Sequence, residues 1–171
     1  FGVTSVGLTR PSDPDGNAEI EIALMRKESG YSDCRRPDNV ELLDKLPVDE
    51  AIKIDSQRRD LTINALYYDP TTGEVIDPVG GVADLKNGLI RAVGNPEARI
   101  AEDKLRMLRV CRFASKLNFK IEDNTLKAVT DHSSEITQVS RERIRDEVLS
   151  ILKTPRPSVG LRLMEKTGLL T

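Results

Sequence analysis

The stretch Glu102-Asp103-Lys104-Leu105-Arg106-Met107-Leu108-Arg109-Val110-Cys111-Arg112-Phe113 decides how the rest of the chain reads. Its spacing predicts a helix over residues 102–117. Arg106, Arg109 and Arg112 recur every third residue and spiral slowly around one side. Met107, Val110, Cys111 and Ala114 gather on the other side, with Asp103 among them. A carboxylate on an apolar stripe needs a partner or a task. Glu102 stands four residues before Arg106 and is placed to pair with it. Arg109 and Arg112 have no carboxylate three or four residues away, and Leu105 and Phe113 sit among the arginines. Sheltered guanidinium groups without a local partner match an anion, and phosphate is the natural candidate.

Outward from that stretch the chain divides in two. Before it, residues 2–8 and 18–25 are β-rich and flank a run of turn residues at 10–17, which predicts an antiparallel hairpin. Residues 26–48 are polar and read as a flexible loop leading to a short helix over 49–54. Residues 61–68 are β-prone towards their end, and Asp69-Pro70-Thr71-Thr72-Gly73 turns the chain into 74–77. A helical turn is expected at 82–86 and a short β-like run at 89–93. After Pro96 the pattern is helical, over 102–117, 124–132, 140–152 and 157–166, with Ser140 as an N-cap and Gly168 as a stop. The fold class is therefore α+β, with a β-rich part over residues 1–95 and an all-helical part over 96–171.

Composition excludes several functions. The chain has 171 residues, enough for one domain or two small ones, and its 38% hydrophobic content is enough to bury a core. Aromatic residues make up 4% and Trp is absent, which excludes a base-stacking platform built on many aromatics. At a formal net charge of -2 the chain as a whole does not attract polyanions, so nucleic-acid contact must come from local basic patches, at 104–120 and 141–162. Cys34 and Cys111 make neither a disulfide framework nor a CxxC metal site. His132, the only histidine, sits in a polar stretch and reads as a surface residue, so a multi-histidine zinc site is excluded. No run is long enough to span a membrane and no signal peptide is visible, so a cytoplasmic protein without a membrane partner is expected. A chain that opens at Phe1 rather than Met reads as a piece of a longer protein.

Two further clusters stand out. In Gln57-Arg58-Arg59-Asp60-Leu61-Thr62-Ile63-Asn64, arginines, an aspartate and an asparagine crowd the entry to an apolar run. A capped loop with a salt bridge explains that cheaply; beside the arginine helix it points to a polyphosphate site. Glu19 and Glu21 alternate with apolar residues on a strand and share one face, which suits either a solvated edge or a magnesium ligand. Asp13-Pro14-Asp15-Gly16 and Gly80-Gly81 read as turns rather than as metal or phosphate loops.

Arg58-Arg59-Asp60-Leu61-Thr62-Ile63-Asn64-Ala65, Asp77-Pro78-Val79-Gly80-Gly81-Val82-Ala83-Asp84, Ile90-Arg91-Ala92-Val93-Gly94-Asn95-Pro96 and the opening stretch occur in that order. Residues 30–38 precede them, and Val139-Ser140-Arg141-Glu142-Arg143-Ile144 follows. Together they resemble the tRNA nucleotidyltransferase/poly(A) polymerase family, of the bacterial CCA-adding type, over nearly the whole chain. The resemblance implies a nucleotidyltransferase sheet head over 1–95 and a helical neck over 96–171. It implies template-independent transfer of C or A from CTP or ATP to the 3′ end of tRNA, with magnesium ions clamping the reaction. Asp103 and Arg106 would select the base. Cytosine and adenine each show an amino donor beside a ring-nitrogen acceptor, which a carboxylate and a guanidinium match, whereas guanine and uracil do not. Arg59, Arg109 and Arg112 would hold the nucleotide and its triphosphate, and Asp60 and Asn64 would touch the ribose or brace the site. Glu21 matches the family's third carboxylate, a catalytic residue orienting metal or 3′-hydroxyl.

The family's opening glycine-rich element and its strand-borne Asp-x-Asp pair, which supply the main metal ligands, have no counterpart here, nor do its C-terminal body and tail. The expectation is an enzyme part that binds nucleotide weakly and transfers none by itself. The rival readings are a poly(A) polymerase of the same family, a non-catalytic nucleotide- or RNA-binding module, and a structural segment whose arginines pair internally.

Overall fold

A computed structural model describes the backbone of residues 3–10, 13–33 and 36–170, with side chains from residue 22 onward within them. The expected hairpin is β1 (Val3–Arg10) paired antiparallel with β2 (Asp13–Ala23), Val3 opposite Ala23, with a register shift between Thr9 and Arg10. Asp13 to Gly16 belong to the start of β2 rather than to a longer tip. Glu21 lies opposite Ser5 on β2; its side chain is outside the described residues.

The polar stretch expected to be a loop instead forms a second hairpin, β3 (Arg26–Ser29) with β4 (Asn39–Leu42). Its closure is local. Asp38 N donates to the carbonyl of Gly30 at 2.8 Å, and the Asp38 carboxylate accepts from Ser32 Oγ at 2.6 Å. Gly30 has φ +70°, and a Cβ there would stand 2.5 Å from Asp38 Oδ2, so glycine is required. Charged residues on both faces of the ladder hide the strand period from a hydrophobicity reading.

Helix α1 (Val48–Gln57) turns Ala51, Ile52, Asp55 and Ser56 inward at helical spacing. A 3-10 turn at Thr62–Asn64 follows, then the hairpin of β5 (Tyr67–Asp69) and β6 (Glu74–Ile76), and α2 (Gly81–Asn87). The Asp77 carboxylate accepts from the N–H groups of Val79, Gly80, Gly81 and Val82 at 2.8–3.2 Å, which satisfies the start of α2. A Cβ at Gly81 would stand 2.2 Å from the Thr62 carbonyl, so only glycine lets α2 dock on the 3-10 turn.

The helix expected over 102–117 is two helices, α3 (Pro96–Glu102) and α4 (Arg106–Leu117). Asp103 breaks them apart with an extended backbone (φ -152°). Its Oδ1 accepts from Leu105 N at 3.0 Å and its carbonyl from Arg106 N at 3.0 Å, so the aspartate ends one helix and starts the next. A short strand not anticipated from the sequence, β8 (Lys120–Ile121), pairs in parallel with β7 (Leu89–Ile90). Helices α5 (Asp123–Asp131), α6 (Arg141–Leu152) and α7 (Pro157–Thr167) complete the chain, and Gly168 ends α7 at φ 79°. Ser140 precedes α6 as expected but makes no capping bond.

Leu61 and Ile90 from the β-rich part share one core with Ile100, Met107, Leu108, Cys111, Val129, Ile151 and Met164. Each large aliphatic side chain so buried contributes about 2 kcal/mol. Contacts therefore cross residues 94–100 without a gap. No helix among the described residues is long and apolar enough to cross a membrane.

Candidate functional site

The site grows from the C-terminal end of α1. Asp55 is fully buried there, three and four residues before Arg58 and Arg59. Its Oδ1 accepts from Arg26 N (3.1 Å) and Arg58 Nε (2.8 Å), and its Oδ2 from Arg59 Nη2 (2.8 Å) and Tyr67 Oη (2.7 Å). Burial pushes the Asp55 carboxyl up, but these donors bring it net below the usual range. Burial and the Asp55 contact push the Tyr67 phenol up to about 12. Beside this hub Glu28 accepts from Arg26 Nε at 2.6 Å and Tyr31 Oη at 2.8 Å, and pairs with Arg58 at 3.4 Å. Burial opposes its ionisation, yet Arg26, Tyr31 and Arg58 hold it net below the ordinary value.

Asp60 joins the two halves of the chain. Its Oδ1 accepts from Leu61 N at 2.9 Å and Asn64 Nδ2 at 3.2 Å, and its Oδ2 from Arg109 Nε at 2.6 Å. Burial raises its pKa, and the Arg109 charge and hydrogen bond reverse that to a net lowering. Asn64 touches the site only through Asp60.

Arg109 and Arg112 have no carboxylate three or four residues away, as read from the sequence, but they are not left without partners. Arg109 meets Asp60, and Arg112 meets Glu147 on α6 while its guanidinium lies 4.4 Å from the Phe113 ring centre. Both partners lie too far along the chain for a local reading to find. Arg106 pairs with Glu102 at 2.6 Å, as expected, and donates to the carbonyls of Arg99 and Arg58, each at 3.1 Å. Asp103 is held by Arg143 of α6, with Nη2 to Oδ2 at 2.7 Å and Nη1 to Oδ1 at 3.3 Å. A guanidinium carries five N–H donors, so one carboxylate contact leaves donors over. In the smaller chamber described below, the side chains of Arg59 and Arg109 are more open to solvent than that of Arg106, at 38% and 34% exposed against 13%.

These residues line two adjoining chambers. The larger, about 530 Å³, is walled by Arg26, Glu28, Tyr31, Arg36, Pro37, Arg58, Asp103 and Arg106. The smaller, about 280 Å³, is walled by Arg58, Arg59, Asp60, Asp103, Leu105, Arg106, Arg109 and Arg143. Arg58, Asp103 and Arg106 belong to both and form the partition. Arg59, Asp60, Asp103, Arg106 and Arg109 are thus brought together, whereas Arg112 lies further along α4 and Asn64 stands behind Asp60. Among the described residues no cluster of three His, Cys, Asp or Glu side chains is placed to hold a metal ion.

Sequence reading missed Asp55, Glu28, Tyr31 and Arg143. Asp55 had a signal, since its spacing to Arg58 and Arg59 is that of helical ion pairs. Arg143 stands in the 139–144 segment that the resemblance includes, but its partner Asp103, 40 residues away, had no local signal.

Residues 11–91 match the family model described as the poly A polymerase head domain, and residues 118–171 match the model described as a probable RNA and SrmB- binding site of polymerase A. The CCA-adding enzyme of Ligilactobacillus salivarius (strain UCC118) is 45% identical over 148 residues, covering 86% of this chain and 35% of that protein. The crystal structure of the Bacillus stearothermophilus CCA-adding enzyme in complex with CTP superposes with a TM-score of 0.77 at 29% identity, covering 96% of this chain and 36% of that one. A Thermotoga maritima CCA-adding enzyme complexed with tRNA_CCA superposes with a TM-score of 0.64 at 33% identity, over 69% of this chain and 30% of that one. The chain spans about a third of the length of the curated relatives it matches.

Proposed function

This chain belongs to the tRNA nucleotidyltransferase/poly(A) polymerase family, and on that premise we propose that it is the nucleotide-selecting part of an enzyme that adds C and A to tRNA 3′ ends. The observation that carries the reading is the partition itself: a carboxylate and a guanidinium, Asp103 and Arg106, side by side between two chambers. In the larger chamber Asp103 accepts the amino proton of cytosine or adenine, and Arg106 donates to the neighbouring ring nitrogen. Uracil and guanine put a carbonyl oxygen against the carboxylate and are rejected by the unpaired polar contact. Arg59 and Arg109, the more solvent-open arginines of the smaller chamber's wall, face the phosphates of CTP or ATP from there, and Arg112 supports them from further along α4. Asp60 holds Arg109 in place and Asn64 holds Asp60, and Asp60 is the candidate ribose contact. The tRNA_CCA and the CTP of the similar structures support this choice of partners.

Magnesium in this reading is held mainly by carboxylates outside the described residues, with Glu21 orienting the metal or the 3′-hydroxyl. Residues 1–95 then act as head and 96–171 as neck, and transfer belongs to the full-length protein rather than to these residues alone.

The test is single-nucleotide addition to a tRNA transcript lacking its CCA end. The full-length protein is expected to use CTP and ATP, and residues 1–171 alone to bind nucleotide weakly and transfer nothing. Asp103→Ala and Arg106→Ala should each narrow the preference for CTP and ATP over UTP and GTP by about a hundredfold or more. The pairing of Arg109 with Asp60 and of Arg112 with Glu147 favours one second reading, in which the arginines only brace the fold. That reading wins if the alanine variants lower the melting temperature and leave base preference intact. Repeated ATP addition to any RNA end would instead mark a poly(A) polymerase.

A further inference from the structure

We propose that Arg143 is a positioning residue for base selection: from the neck helix α6 it clamps Asp103 in the one orientation that leaves an acceptor facing the nucleotide. The proposal rests on the base-selecting reading of Asp103.

Asp103 sits in the short turn between α3 and α4, and no helix fixes its backbone. A side chain at such a turn would rotate freely unless something held it. Here two contacts do. Leu105 N donates to Oδ1 at 3.0 Å, and Arg143 forks across both oxygens at 3.3 and 2.7 Å. A carboxylate offers about four lone-pair positions, so these bonds leave about one for a ligand. The direction of that last acceptor follows from where Arg143 stands. Arg143 walls the smaller chamber and not the larger one, whereas Asp103 walls both. Arg143 thus shares with Asp103 the chamber assigned above to the phosphates, and no part of it walls the chamber assigned to the base. Both partners are sheltered, with side chains 24% and 16% exposed, so water competes little for the pair.

One turn further along α6, Glu147 pairs with Arg112 of α4. The same face of α6 thus grips the selecting turn at one end and the arginine helix further along. This second grip sets the register of α6 against α4, so that the Arg143 fork arrives opposite Asp103. Lysine at 143 would keep the charge but lose the planar fork, which alone fixes both oxygens at once.

The experiment uses the full-length protein, a tRNA transcript lacking its CCA end and single nucleoside triphosphates. For wild type, Asp103→Ala, Arg143→Gln and Arg143→Lys, kcat/KM is measured for CTP, ATP, UTP and GTP. The readout is the ratio of correct to incorrect nucleotide within each variant, which does not depend on the fraction of protein that is folded. Arg143→Gln is expected to narrow that ratio by about tenfold to a hundredfold, with Arg143→Lys in between. Adding Arg143→Gln to Asp103→Ala should narrow it no further. If Asp103→Ala relaxes selection while Arg143→Gln slows all four nucleotides equally, Arg143 is merely structural and the proposal falls while the base-selecting reading stands. If Asp103→Ala itself leaves the ratio unchanged, both fall.

Discussion

At the scale of single residues the chemistry turns on carboxylates that each hold more than one arginine or tyrosine. Asp55 is the extreme case, buried completely and bonded to Arg26 N, Arg58, Arg59 and the Tyr67 hydroxyl. Removing it leaves Arg59 without its carboxylate, Arg58 with only the longer contact to Glu28, and the Tyr67 hydroxyl and Arg26 N without their acceptor. Asp55→Ala is therefore expected to cost about 3–5 kcal/mol of stability, read from urea unfolding. Asp55→Asn, which keeps the shape and loses the charge, should cost less yet weaken CTP binding, because Arg58 and Arg59 are no longer pinned to the chamber walls. Unaltered binding by that variant would show that the arginines need no anchor. The folded-state pKa of Asp55 lies below its ordinary 3.8, so its contribution is present above that pH and fades as pH falls through the folded value. The spacing of Asp55 to its arginines was legible in the sequence. That its side chain would be sealed under Tyr67 was not, because Tyr67 arrives from a different hairpin.

Among the elements, the helices α4, α6 and α7 set the frame on which the site hangs. Gly160 marks how closely they approach. A Cβ there would stand 2.6 Å from Ile151 Cγ2 and 3.1 Å from Ser115 Cβ, so α7 meets α6 and α4 through a glycine surface. Ser115 Oγ locks the same contact by donating to the Arg156 carbonyl at 2.7 Å. Gly160→Ala gains about 1 kcal/mol of helix propensity but forces a rearrangement costing about 1–3 kcal/mol. We expect a net loss, seen as a lower unfolding midpoint; an equal or higher midpoint would mean that α7 can shift outward without cost. The boundaries of α5, α6 and α7 were readable from apolar spacing and the Gly168 stop. The break between α3 and α4 was not, because the apolar stripe continues across it while Asp103 diverts the backbone.

Across the whole molecule, charge pairs tie distant segments and make stability depend on pH from both sides. His132 is partly exposed, as its polar setting implied, but it is not isolated: it lies between Glu135 and Glu97, and Glu135 also meets Lys104 at 2.5 Å. The hydrogen bond to Glu135, then that to Glu97, raises the His132 pKa above 6.5. A raised pKa contributes stability that is full below 6.5 and lost as pH climbs through the folded value. Asp60 works in the opposite sense: its contribution is present above 3.8 and lost in acid. The melting temperature of the wild type should therefore fall, as pH rises above 6.5, more steeply than that of His132→Gln, and less so in high salt. Parallel slopes would remove the histidine from the account. A change of period near residues 94–100 was visible in the sequence, yet the β7–β8 pairing and the shared core carry contacts across it.

The sequence by itself determined the α+β class, most helix and hairpin positions, and the ordered motifs that mark the family, because periodicity and motif order are local properties of the chain. Only the tertiary structure decided which carboxylate each arginine meets, where the arginine helix begins, and that Asp103 lines both chambers while bonded to Arg143. The physical reason is distance along the chain. Side-chain pairing within a helix is confined to neighbours three or four residues apart, whereas Asp60–Arg109, Arg112–Glu147 and Asp103–Arg143 span 49, 35 and 40 residues and form only when the core brings the elements together.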